Sequence, residues 1–359
     1  MKNFFTLALL AAGVWLAACN GPAVKSGDQT GNDTVASFDS TDRTNDFYDD
    51  AETVALNGPM EIEIAGEISQ SVKINFKNLK KHSIIVKETV LKNEADSFVG
   101  AYRYVGYSLY DILNEVGLKK ANEEVFRPII DLFVEIENAS GEKVVLSWGE
   151  IYYPIHHHEI IIATEVMRIV PSKTKELWTL PEKTKLVVGH DLITARNISE
   201  PVKITIRSFP LADVIVEKDK KPLYSKDFKI TEDKKILETV VEYPKGMGMQ
   251  NYPAIFYGRG KGIHSTEPFK GVMIKEMLGK YFPVTNDNLM KGLFVAVADD
   301  GYRSVFTYNE VMNRNDQSEL LLIAHPEEKT DAVFRLYPAM DFFSDRAVKA
   351  LVEVQFHLQ

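Results

Sequence analysis

Leu132–Ala163 reads LFVEIENASGEKVVLSWGEIYYPIHHHEIIIA. An apolar run leads into a turn at Ala139–Gly141, a second apolar run and a short helix-like piece. A polar loop and a third apolar run follow. The pattern occurs twice, since Leu293–Ile323 reads LFVAVADDGYRSVFTYNEVMNRNDQSELLLI. Leu132, Phe133 and Val134 align with Leu293, Phe294 and Val295 at an offset of 161, whereas Gly141, Glu150 and Glu159 align with Gly301, Glu310 and Glu319 at 160. One deleted turn residue would account for the difference. A repeat of this length sets the domain count before any fold is considered.

Outward from this stretch the order of landmarks also recurs. Upstream, Gly106 and Leu113 in YVGYSLYDILNEVG align with Gly271 and Leu278 in FKGVMIKEMLGKYF, at an offset of 165. Leu109, Ile112, Leu113 and Val116 share one face at helical spacing, and Gly117 lies where a C-cap glycine belongs, so the spacing predicts a short amphipathic helix. Downstream, Asp191, Arg196 and Val202 align with Asp341, Arg346 and Val352 at 150. Before the helix, alternating segments such as MEIEIAGEI (Met60–Ile68) read as strands. The expected organisation is two copies, 56–207 and 208–359.

The chain's 359 residues, 45% of them apolar, suffice for two cores of about 150 residues each. A net charge of −9 with no basic block makes the chain a poor candidate for a nucleic-acid partner, whose phosphates require a positive surface. One cysteine excludes an intrachain disulfide. Lys2 precedes an apolar run, Phe4–Ala18, that is too short to span a bilayer and has the anatomy of a secretory leader.

Leu16-Ala17-Ala18-Cys19 resembles the lipobox of bacterial lipoproteins. The resemblance implies a signal peptide over 1–18, cleavage before Cys19, lipidation of its thiol and anchoring at the cell envelope, periplasmic or surface-facing. Residues 19–55, rich in Gly, Ser, Thr, Asn and Asp, read as a flexible acidic tether.

The repeated unit resembles the molybdopterin-binding domain of the sulfite oxidase family. The turns Gly106-Tyr107-Ser108-Leu109 and Gly271-Val272-Met273-Ile274 carry the likeness, with Leu186-Val187-Val188-Gly189 plus Arg196 and Leu336-Tyr337-Pro338-Ala339 plus Arg346. It implies an α+β fold with mixed sheets, present as two tandem copies. Family enzymes hold molybdenum through a cysteine. The corresponding segments, Lys92–Gly100 and Tyr243–Gly260, have none, and Cys19 belongs to the lipobox. The expectation is therefore non-catalytic binding of a small ligand or an envelope protein, with no cofactor. Retention of a molybdopterin-type cofactor in an oxidoreductase, and a structural role in an envelope assembly, are the alternatives.

The glycine-rich insertion Tyr243–Glu267 supplies the candidate ligand-binding residues Tyr257, Arg259, Lys261 and His264, since Tyr and Arg stack on and hydrogen-bond planar or anionic groups. Arg196 and Arg346, near the family's basic position, are anion candidates. In His156-His157-His158 neighbouring side chains alternate in direction, so an exposed loop without metal is expected; His156 and His158 are the nearest metal candidates.

Overall fold

A computed structural model of the chain describes residues 53–93, 95–171, 173–210, 223–318, 320–324 and 333–359. The leader, Cys19, most of the tether and the segment joining the two repeats lie outside them. Strand accounts for 49% of the structure and helix for 12%. Four larger sheets take a four-blade, propeller-like arrangement. This overturns the α+β, sulfite-oxidase-like expectation. The expected short helix is present but is a single capped turn: it follows directly on a strand, starts at Leu109, is capped by the Ser108 hydroxyl and ends at Asn114 (α1). Six residues cannot sustain a helix by themselves; here the apolar face at Leu109, Ile112 and Leu113 is held down by the sheets beneath.

The first half contains β1 (Val54–Ala55), β2 (Glu61–Gly66), β3 (Val72–Asn75), β4 (Lys81–Lys92) and β5 (Ala95–Ser108). After α1 come β6 (Leu132–Asn138), β7 (Lys143–Ser147), α2 (Trp148–Tyr152), β8 (Ile160–Arg168), β9 (Lys185–Val188) and β10 (Pro201–Ser208). Strand pairing thus begins at Val54, inside the stretch read as tether. The second half contains β11 (Phe228–Glu232), β12 (Lys235–Val240), β13 (Gln250–Tyr252), β14 (Phe256–Gly258), β15 (Gly262–Ser265) and β16 (Phe269–Met273). These are followed by α3 (Lys275–Leu278), α4 (Asn286–Lys291), β17 (Gly292–Ala298), β18 (Arg303–Thr307), α5 (Tyr308–Met312), β19 (Leu320–Ile323), β20 (Arg335–Pro338) and β21 (Leu351–Leu358).

One strand order appears twice. The five-stranded sheet β3-β2-β10-β6-β7 is matched by β12-β11-β21-β17-β18, and in both the β2–β10 or β11–β21 pair is parallel and the rest antiparallel. The series β4-β5-β8-β9 is matched by β13-β16-β19-β20. Gly106 and Gly271 hold the same register, opposite Ala163 and Ile323. A Cβ at either would run into the carbonyl oxygen of Ile162 or Leu322.

Pairing also corrects the alignment of the opening strands. Phe133 pairs with Ser147 and Arg207, and Leu293 pairs with Thr307 and His357. Phe133 is therefore equivalent to Leu293, at an offset of 160, and no turn residue is deleted. The offset of 161 had matched letters, Leu-Phe-Val on Leu-Phe-Val, across the pleat. A one-residue slip sends every side chain to the opposite face. In the correct register Phe133, Val145, Leu293, Val295 and Val305 share one apolar layer, where the two five-stranded sheets meet. Leu132 and Val134 point the other way, into the first half's own core.

Within each half, the inner faces of two sheets enclose a core with α1 and α2, or with α3, α4 and α5. All described residues belong to one compact unit. No helix among them is long and apolar enough to cross a membrane.

Candidate functional site

The two halves meet through a pair of buried ion clusters. α2 begins at the strand end Ser147 and α5 at Thr307, each closed by a capping box with Glu150 or Glu310. The same glutamates reach inward. Arg196, fully buried, donates to Asp191 at 2.7 and 2.9 Å and to Glu150 at 2.9 Å from each terminal nitrogen. Arg346, also fully buried, donates to Asp341 at 2.6 and 2.8 Å and pairs with Glu310 at 2.7 Å. Each guanidinium also faces the other half's cap hydroxyl: Arg196 lies 3.4 Å from Thr307 Oγ1 and Arg346 3.3 Å from Ser147 Oγ. The reciprocity is that of a two-fold interface built within one chain.

These partners correct the reading of Arg196 and Arg346 as anion sites. Their forks are filled by carboxylates of the fold, and both lie out of solvent. Sequence order placed them near a presumed ligand; burial makes them the bolts between halves.

The insertion has two structural tasks. Phe256 packs with Leu321, Ile323 and Tyr337 and covers the outer face of the β16–β19–β20 sheet. Tyr257 packs beside Phe342 and Phe343, with ring centres 5.8 and 6.0 Å away. The β14–β15 hairpin is thereby set against the 342–346 turn of its own half. Its tip carries Arg259 into a cleft of about 350 Å³ lined by Arg127, Pro128, Ile129, Ile130, Tyr153, Tyr302 and Asp345. A second cleft of about 250 Å³ shares Tyr302 and Asp345 and is lined by His264 and Lys349. Of the four insertion residues, Arg259 and His264 thus line adjoining clefts and Tyr257 anchors the hairpin. Lys261 is exposed and lines neither.

Several polar atoms in the first cleft lack partners. The Tyr153 hydroxyl is buried without a hydrogen bond, as is Asp345 Oδ2. Among the described residues neither Arg127 nor Arg259 forms an ion pair, and both are exposed. The Tyr302 hydroxyl donates to the Asp345 carbonyl at 2.6 Å, which holds that wall. Burial raises the Tyr153 phenol to about 12, against the pull of Arg259, so it stays a neutral donor. Below the cleft, Asp131 is fully buried and binds Lys120 at 3.0 Å and Arg303, from the other half, at 3.1 Å.

Sequence reasoning missed Arg127, Tyr153, Tyr302 and Asp345. The available signal was the difference between copies: Tyr153, Tyr302 and Asp345 stand where the other copy has Asn313, Glu142 and Ala195.

The histidine run is not uniformly exposed. His156 is, but His157 and His158 are half-buried. No described residue could supply the thiolate that a molybdenum centre of the sulfite oxidase type requires. No family model matches the chain, and no curated protein matches it.

Proposed function

We propose that the chain is a lipid-anchored envelope protein that captures a small anionic ligand in the cleft between its two halves. The observation that carries this reading is the pair of buried, unpartnered polar atoms, Tyr153 Oη and Asp345 Oδ2, on residues that line the same cleft as Arg127 and Arg259. Buried polar atoms are almost always satisfied, so two orphans in one concavity argue for a guest that satisfies them. The arginines offer planar forks to a carboxylate or phosphate. The phenol adds a donor, and Asp345 accepts from a hydroxyl or amine beside the anionic group. Pro128, Ile129 and Ile130 supply the apolar wall usual in a ligand site. Capture rather than turnover is proposed because the lining holds no nucleophile paired with a base. Anchoring rests on Cys19 and the apolar run before it.

One preparation tests both parts. Cys19→Ala should move the chain from the membrane to the soluble fraction. Mass spectrometry of small molecules released from that soluble form should reveal an anionic species. In the Arg127→Ala/Arg259→Ala form it should fall about tenfold or more, the loss of one charge-assisted contact being worth about 1.5–3 kcal/mol. The same small molecules at the same level in both forms would sink the cleft reading, and unchanged membrane partition the anchor.

A further inference from the structure

We infer that His82, Asp111 and His158 form a binding site for a divalent transition metal of the zinc class, built in the first half only. The three residues come from three elements. His82 lies on β4 opposite Gly106, Asp111 in the first turn of α1, and His158 in the loop before β8. His82 Nε2 lies 2.7 Å and His158 Nδ1 3.8 Å from Asp111 Oδ2, and the three ligand atoms all fall within 4.8 Å of one another. Ligands about 2.0–2.1 Å from a tetrahedral ion are about 3.3 Å apart, inside that spread. Two imidazoles with one carboxylate suit zinc and its neighbours rather than calcium or magnesium, which take oxygen ligands. Three protein ligands leave a coordination position open.

The surroundings hold the arrangement. The imidazoles of His82 and His158 stack with centres 3.8 Å apart and planes 9° apart. The stacking keeps the two rings side by side against the Asp111 carboxylate. His157 stacks on Tyr110 with centres 4.6 Å apart, which orients the loop that presents His158. The Ser108 hydroxyl, 3.0 Å from His158 Nδ1, holds that nitrogen in the ion-free protein and would give way to the metal. All three residues are half-buried, and they border two open clefts, one lined by Lys80 and Glu115 and the other by His156 and Glu159. The positions equivalent by strand register and repeat offset hold Gln250, Glu276 and Ser318, none an imidazole.

The expectation of a metal-free loop failed to anticipate this because it considered only neighbours in sequence. His156 and His158 do not converge, but His158 and His82, 76 residues apart (158 − 82), do.

Zinc chloride added to the chelator-treated protein tests the inference. At zinc about 100 times Kd the melting temperature should rise by about 5 °C. The rise should persist in His156→Ala and vanish in His82→Ala and His158→Ala, with affinity weakened about 100-fold. No rise in the wild type would overturn the site. So would a rise that survives removal of His82 or His158, or one that His156→Ala abolishes. Cobalt provides a readout that needs no variant: the wild type should show the visible absorption of a four-coordinate nitrogen–oxygen site. A six-coordinate spectrum would overturn the inference.

Discussion

Arg196 and Arg346 occupy equivalent places in the two halves, yet the first cluster has a neighbour that the second lacks. In the first half His190 is buried and lies 3.1 Å from Glu150. The equivalent position in the second half is Met340. Burial would lift the Glu150 carboxyl, but Arg196 and His190 outweigh it and hold it at about 2. Asp341 moves the other way. Burial lifts its carboxyl to about 6, against the pull of Arg346. A duplicated frame thus keeps its geometry, while single side chains redistribute the charge. The same lesson applies at the surface, where His82, Asp111 and His158 face Gln250, Glu276 and Ser318 in the other copy.

The sharpest way to break this comparison is to remove each arginine. Arg196→Ala and Arg346→Ala should each cost about 3–5 kcal/mol, because each leaves two buried carboxylates uncompensated. Arg346→Ala should be the worse by about 1 kcal/mol, since Glu150 keeps its 3.1 Å contact with His190 and the position equivalent to His190 is Met340. Urea unfolding decides this, and equal losses would show that His190 contributes nothing to the first cluster.

Acid titration gives the next largest effect. Glu150, with its folded pKa below the unfolded 4.5, stabilises the fold above that pH. The contribution is lost as pH falls from about 4.5 to about 2 and is on the order of 3 kcal/mol. Asp341, with its folded pKa above the unfolded 3.8, has the opposite sign. It is protonated in the fold and charged in the unfolded chain between about 4 and 6, so stability rises as pH falls through that window. Glu150→Gln should flatten only the acid limb, and Asp341→Asn only the window above it. Melting profiles from pH 2 to 7 that change in the same window for both variants would remove the distinction.

The smallest effect concerns the caps. Thr307→Ala should cost about 1 kcal/mol as the loss of an N-cap. Ser147→Ala should cost about twice that, because the Ser147 hydroxyl also donates to Glu310 across the interface at 2.6 Å, whereas Thr307 receives only a 3.4 Å contact from Arg196. Equal costs in thermal unfolding would mean that the cross-interface bond carries nothing.

Much of the frame was legible in the residues. Glycines at 106 and 271, acids at 150 and 310, and the Asp–Arg pairs at 191/196 and 341/346 mark equivalent positions, because each meets a demand that few other residues satisfy. The short helix was legible too, because Leu109, Ile112 and Leu113 at helical spacing form its buried face, though it ends at Asn114, before Val116.

By itself, then, the sequence determined the repetition, the order of its landmarks and the net negative charge. Those are properties of order and composition, which the chain carries before it folds. Only the tertiary structure decided the rest. Phe133 lies over Leu293 because strand pairing, not letter identity, sets which face a side chain takes. Arg196 and Arg346 became buried bolts because two halves closed over them. Tyr153, Arg259 and Asp345 line one cleft, and His82, Asp111 and His158 lie side by side, through contacts between segments far apart in the chain. Convergence of that kind depends on long-range packing, and no local pattern of residues encodes it.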